Sequence, residues 1–239
     1  MINADLGEGC AHDEALFGMV DMANIACGGH AGDESSMREA CLLALHHKVM
    51  AGAHPSYPDK AGFGRKRPEL PPPDLQDALI EQVACFEAIA RQVGLVTRHF
   101  KPHGQLYNDA AYNTELATML IQVARAFPHL ALVALAGSPQ VALSRGLGVA
   151  VVEEAFPDRA YLPDGRLASR TTPGAVLCDP QHVYKQALAM LKGRPFPTLD
   201  GGRLRLHAHT LCVHGDSPAA LQNARAVLMA VQGRRFSAY

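Results

Sequence analysis

Six ionisable side chains, Asp5, His30, His54, Lys101, His103 and His214, follow or end segments of β-type sequence. Gathered in one place, a carboxylate, histidines and a lysine supply a general base or metal ligands, a proton donor, and a cation able to hold a phosphate or carboxylate. The chemistry suggested is addition to a carbonyl followed by hydrolysis. Asp5, His30 and His54 also form an Asp-His-His set with the donor types of a divalent-metal site, although no compact spacing such as H-E-x-x-H marks it. One histidine at a strand end is ordinarily a satisfied, partly buried side chain, but agreement among five strands makes clustering the better account. Cys27, the thiol nearest these residues, reads as a buried structural cysteine.

The elements that must position these groups are legible from periodicity. Apolar residues at helical spacing run through Met37, Ala40, Cys41, Ala44 and Leu45, with Ser36 and Glu39 spaced as a capping box. A longer stripe, Leu75, Leu79, Val83, Phe86, Ala90 and Val93, lies between Pro71-Pro72-Pro73-Asp74 and Gly94. Further helices are predicted over Thr114–Phe127, Pro180–Leu191 and Pro218–Val231, the last two opened by Asp179-Pro180 and Ser217-Pro218. Between them lie eight β-type segments: Ile2–Leu6, Met22–Cys27, Val49–His54, Arg98–Lys101, Ala131–Leu135, Val149–Glu154, Gly174–Cys178 and Leu204–Val213. This alternation predicts an α/β fold, a (β/α) barrel rather than an open doubly wound sheet; no G-x-G-x-x-G follows the first strand.

In such folds the ligand site lies beyond the carboxyl ends of the strands. Period two puts Asn3 and Asp5 on one face, into the barrel, and Ile2, Ala4 and Leu6 on the other, against helices. Alternation likewise aligns His99, Lys101 and His103, and the last strand is expected to deliver His207, His209, His214 and Asp216 to the same end. Gly28 and Gly29 let backbone N–H groups approach a ligand, while Asp33 suits a helix cap. The segment from His54 to Pro73, basic at Arg65, Lys66 and Arg67, reads either as a binding lid or as a solvated stretch. Arg159 and Arg170 either meet an anionic substrate or turn the chain.

Composition bounds the alternatives. With 239 residues, 48% hydrophobic and 19% charged, the chain is globular, which excludes disorder, collagen and coiled coil; no linker divides it, so one catalytic domain over 1–239 is predicted. Its 22 basic residues against 23 acidic ones give no field for nucleic acid or a membrane surface, which points to a small-molecule substrate. Six cysteines without a C-x-x-C pair, and Met1 leading straight into Ile2-Asn3-Ala4-Asp5 without the regions of a signal peptide, predict a reducing cytoplasm. Twelve histidines beside no tryptophan suggest that some serve chemistry.

The segments Asn3–Gly9, Ala23–Asp33, Gly52–Asp59, Lys101–Asn108, Glu153–Tyr161 and Cys212–Asp216 resemble, in order and over nearly the whole chain, the LamB/YcsF family. The resemblance implies a barrel of the glycoside hydrolase/deacetylase type, seven-stranded, which would make one of the eight β-type segments a misassignment. It implies a hydrolase of a cyclic amide: the A subunit of a 5-oxoprolinase, opening 5-oxoproline to L-glutamate with ATP and two partner subunits, B and C. On this reading Asp5 or Glu8 activates water, His30, His54 and His103 hold or protonate the tetrahedral intermediate, and Lys101 binds phosphate or the carboxylate. Asn24, Tyr107, Arg159, Arg170, His214 and Asp216 would line the substrate. ATP is implied only by the resemblance, since no Walker A string is present. A metal-dependent deacetylase or amidohydrolase with Asp5, His30 and His54 on a divalent ion is the alternative, and a non-catalytic scaffold a third. The chain departs from the family at Ala4 (usually cysteine), Ser56 (usually glycine or another small residue), Gly29 (usually a large aromatic) and His209 (usually aspartate), and its loop after Gly9 is shorter. The change at Gly29 is expected to open the pocket beside His30, and that at His209 to bear on activity.

Overall fold

The computed structural model describes residues 1–215, 219–234 and 236. Its chain order is β1 (Ile2–Leu6), α1 (Asp13–Phe17), β2 (Met22–Ala26), α2 (Glu34–His47), β3 (Met50–His54), α3 (Pro72–Gln92), β4 (Thr97–Phe100), α4 (Gly104–Tyr112), α5 (Thr114–Ala126), β5 (Ala131–Leu135), α6 (Pro139–Gly146), β6 (Val151–Ala155), α7 (Pro180–Leu191), β7 (Phe196–Pro197), β8 (Arg203–Leu204), β9 (Thr210–Val213) and α8 (Ala220–Val231). Seven of the strands close a parallel barrel in the order β1-β2-β3-β4-β5-β6-β9, the predicted (β/α) architecture. No helix among the described residues is long and apolar enough to cross a membrane.

The barrel closes without Gly174–Cys178, which is therefore the misassigned segment. β6 pairs directly with β9 through Glu154↔Thr210 and Ala155↔Leu211, leaving no gap for another strand. Gly174–Cys178 lies in the excursion between them and makes only an isolated bridge, Arg159↔Val176. Leu204–Val213 also divides: only its first residue, Leu204, belongs to the small antiparallel pair β7–β8, residues 205–208 are in no strand, and only Thr210–Val213, buried throughout, joins the barrel.

Local signals explain most helix boundaries. The capping box of α2 is formed by Asp33 and Ser36, not by Ser36 and Glu39: Asp33 accepts from the Ser36 N–H at 2.9 Å, and the Asp33 N–H donates to Ser36 Oγ at 2.8 Å. α3 buries Leu75, Leu79, Val83 and Phe86, each gaining about 1.5–3 kcal/mol from removal of its side chain from water. The predicted Ser217-Pro218 start of the final helix lies outside the described residues. Helices α1, α4 and α6 have no counterpart among the predicted elements; α1 is a single turn, and α4 opens on Gly104, a residue that propensity places outside helices.

Inside the barrel, Asn3, Asn24, His54, His99, Lys101 and Glu154 are buried, whereas Ile2, Ala4 and Leu6 face the helices as period two requires. These polar groups form a connected floor. Asn3 Nδ2 donates to Thr210 Oγ1 at 3.0 Å, Asn24 Nδ2 donates to Asn3 Oδ1 at 2.8 Å, and His99 Nε2 donates to Asn24 Oδ1 at 2.9 Å.

Candidate active site

The floor ends on Asp5. Its Oδ1 accepts from Asn24 Nδ2 at 2.8 Å and from Lys101 Nζ at 2.9 Å, while Oδ2 lies 3.3 Å from His54 Nε2. Burial alone would raise the Asp5 pKa, but His54 and Lys101 outweigh it and hold the carboxyl well below its ordinary range, so Asp5 is ionised. Lys101 is itself buried, its ammonium 3.0 Å from Glu154 Oε1 and 3.2 Å from Cys212 Sγ. Despite that burial, Asp5, Cys212 and Glu154 keep its pKa well above the usual lysine value. The ammonium is thus committed to the barrel interior, where it pins Asp5 and leaves the second carboxylate oxygen toward the cleft.

Above this floor stand Glu8, His30, His54 and His103. Gly7 and Gly9 adopt positive φ (71° and 78°) on either side of Glu8, turning the exit of β1 across the barrel mouth. Glu8 Oε1 lies 2.9 Å from His30 Nε2 and 3.2 Å from His103 Nδ1. The His30 and His103 rings stack in parallel, 3.6 Å between centroids, and His54 meets both edge-on. Burial lowers the His30 pKa to about 4 and lowers that of His103, so these rings are neutral at pH 7. For Glu8, burial opposes ionisation, yet contacts from His103 and His30 keep its carboxyl below the usual range. The sequence-derived metal trio is therefore rearranged: Glu8 and His103 join His30 and His54, while Asp5 touches the group only through His54.

The loop after β3 covers this cluster. Asp59 ties it together, accepting from the N–H groups of Gly62 and Lys66, and Phe63, at a positive φ of 56°, packs its ring nearly perpendicular to those of His30 and His103. Of the basic stretch, Arg65 reaches the cleft, with its guanidinium 5.3 Å from the Phe63 ring centroid. The space next to His30 is not opened by Gly29. Gln82 fills it, accepting from Ser56 N–H at 2.9 Å and donating to the Ser56 carbonyl at 2.9 Å, and a Cβ at residue 29 would lie 2.8 Å from Gln82 Cδ.

On the opposite wall His214 Nδ1 donates to Asp158 Oδ2 at 2.7 Å, and its ring stacks on Phe156. Asp158 is buried; His214 and Arg159 hold its pKa down against that burial. The pair fixes the His214 tautomer and leaves Nε2 free for the cleft that His214 lines. Asp5, Glu8, Lys101, His103, Tyr107, Arg159 and Arg170 line the same cleft, a small cavity of about 80 Å³. Tyr107 is buried beneath it, and Arg159 donates to the carbonyls of Ala168 and Ala175, bracing the excursion from which Arg170 projects. Asn24 lies beneath Asp5 as its support. Asp216 lies outside the described residues.

His209 is at the far end of the barrel. It precedes β9, accepts from the Glu153 N–H at 3.0 Å and is exposed at the strand's amino end, so its replacement of aspartate does not touch the cleft. Sequence reasoning missed Asp158, Glu154 and Phe63 as site-building residues. Glu154 was within reach, since period two on β6 turns it inward; Asp158 and Phe63 act through loops with no periodic signal.

Comparison with known proteins matches this geometry to a family. The LamB/YcsF family model aligns with residues 1–238. A lactam utilization protein from Thermus thermophilus is 40% identical, with a TM-score of 0.88 over 97% of this chain and 95% of that one. A putative cellobiose-phosphate cleavage protein from Enterococcus faecalis shares the fold alone, at 12% identity and a TM-score of 0.54 over 98% and 94% of the two chains. From the barrel's strand-end residues to its overall sequence, the chain belongs to the LamB/YcsF family.

Proposed function

We propose that this protein is the hydrolytic A subunit of an ATP-dependent 5-oxoprolinase that opens 5-oxoproline to L-glutamate together with partner subunits B and C. The observation that carries the chemistry is the facing arrangement of ionised Asp5 and the His214–Asp158 pair across one small cleft. The likeness to a lactam utilization protein supports the choice of a cyclic amide.

A lactam is a poor electrophile with a poor leaving group, so two proton transfers and prior activation are needed. Asp5, with Oδ1 held by Lys101 and Asn24, takes a proton from water through Oδ2 as the oxygen adds to the carbonyl carbon. His214 then donates a proton from Nε2 to the ring nitrogen as the C–N bond breaks, and Asp158 stabilises the ring's charged form. Arg170 and Arg65 at the rim suit the substrate carboxylate. With no Walker A string in the sequence, we assign phosphorylation of the amide oxygen by ATP to the partner subunits; C–N cleavage of the hydrated adduct then leaves an acyl phosphate, which a second water splits into the glutamate carboxylate and inorganic phosphate.

The test is 5-oxoproline-dependent glutamate release with ATP, by the chain alone and with subunits B and C, alongside Asp5→Asn and His214→Asn variants. Glutamate formed only by the full mixture and lost in both variants supports the assignment. No glutamate from an intact complex, or acetate released from an acylated substrate without ATP, would overturn it, the latter in favour of a deacetylase.

A further inference from the structure

The residues around Glu8 create a position that only a positive charge satisfies. His54 Nδ1 lies 2.7 Å from the Lys101 carbonyl oxygen, and His103 Nε2 lies 3.1 Å from that of Phe63. A carbonyl oxygen can only accept, so each of these ring nitrogens carries its hydrogen. With its outer nitrogen protonated, a neutral ring has only a lone pair at the inward nitrogen, yet the inward nitrogens, His54 Nε2 and His103 Nδ1, face each other at 3.0 Å. Glu8 Oε1 brings further lone pairs, 3.8 Å from the first nitrogen and 3.2 Å from the second. His30 Nε2 sits 2.9 Å from the same oxygen, in a side chain that is fully buried and whose Nδ1 has no partner.

The spacing fits a metal ion. A tetrahedral ion with bonds of about 2.0–2.1 Å to nitrogen and oxygen sets its ligands about 3.3 Å apart. Four of the six donor separations run from 2.9 to 3.8 Å, bracketing that value, and all the donors lie within 4.8 Å of one another. Three imidazoles and one carboxylate match a zinc-class cation and do not match calcium or magnesium, which take oxygen ligands. His54 and His103 already donate their outer N–H groups to backbone carbonyls, the support that orients metal-bound imidazoles.

We propose that Glu8, His30, His54 and His103 bind one divalent transition-metal ion, with Asp5 beside the ion's shell and not in it. Asp5 is already held by Asn24 and Lys101, which distinguishes this donor set from the Asp5-His30-His54 trio that residue types alone suggest. The proposal is independent of the lactam reading, because binding is measured without substrate.

Tag-free protein is stripped with chelator, titrated with Co²⁺ or Zn²⁺, desalted and assayed for metal content, and the Co²⁺ form is recorded by visible absorption. The expected result is one ion per chain, a four-coordinate Co²⁺ spectrum and a raised thermal midpoint. In Glu8→Gln and His103→Gln, affinity should fall by more than the 10–100-fold that follows loss of an outer partner, and Asp5→Asn should keep the ion. Should those variants misfold, X-ray absorption on the unaltered Zn²⁺ or Co²⁺ form decides, with three imidazoles and one oxygen expected around the ion. Absence of a stoichiometric ion from the unaltered chain overturns the proposal and leaves a shared proton in its place. Retention in Glu8→Gln and His103→Gln with loss in Asp5→Asn also overturns it, moving the ion to Asp5, Cys212 and His214, the other cluster of donors.

Discussion

Gly52→Ala tests whether the barrel floor positions Asp5. Gly52 pairs with His99 across β3 and β4, and a methyl at residue 52 would overlap the His99 backbone oxygen and lie 2.6 Å from its Cδ2. Ordinary contact begins at 3.4 Å, and the backbone oxygen is nearer than Cδ2, so the strands must part by about 1.3 Å. His99 cannot swing away freely, because its Nε2 donates to Asn24 Oδ1 and Asn24 in turn holds Asp5. Overpacking of about 1–3 kcal/mol and a weakened buried hydrogen bond of about 1 kcal/mol together predict a loss of about 2–4 kcal/mol. With an m-value of about 3 kcal/mol/M, the urea midpoint falls by about 1 M. The nearest atoms to a methyl in Gly29→Ala belong to the side chains of Gln82 and Ser56, so relief costs Gln82 its two bonds to Ser56 and not a parting of strands, and the loss should be smaller. Gly146→Ala meets nothing within 4 Å and should gain about 0.5–1 kcal/mol from helix propensity. Urea unfolding of the three variants checks the order. A Gly52→Ala midpoint within about 0.2 M of the unaltered chain would refute the argument that this contact is tight and that His99 is held.

Lys101→Met leaves Asp5 and Glu154 buried without their cation, and denaturant unfolding at neutral pH should show a loss of about 3–5 kcal/mol. Asp158 has a folded-state pKa below its unfolded value, so its stabilisation is present above about pH 4 and disappears as pH falls through the folded value. The stability gap between Asp158→Asn and the unaltered chain should accordingly narrow on acidification, and a gap constant from pH 7 to about pH 2 would contradict the His214 pairing. Asn113 caps α5, accepting from the N–H groups of Glu115 and Leu116; Asn113→Ala should cost about 1 kcal/mol in thermal or urea unfolding and leave Co²⁺ binding unchanged.

The barrel was legible because its signals are local. Strand-helix alternation, proline and glycine at helix ends, and period two in Ile2–Leu6 require only neighbouring residues, and they place Asp5 inside and Leu6 outside without reference to the rest of the chain. The same locality explains the errors. Gly174–Cys178 is an apolar run like a barrel strand, and only the direct pairing of β6 with β9 excludes it. His209 stands five residues before His214, yet β9 carries them to opposite ends of the barrel.

The sequence by itself determined the fold class, the family resemblance and the residue types at the strand ends, since each is encoded in short-range pattern. Which atoms meet was decided by tertiary structure. Glu8 displaced Asp5 beside the histidines because glycine turns redirected the exit of β1, and Lys101 turned inward because Asp5 and Glu154 compensate its burial. His214 gained Asp158 from a loop 56 residues away. Contacts between residues so far apart carry no spacing rule, because loop geometry and ring closure of the barrel, not periodicity, set the distance between them.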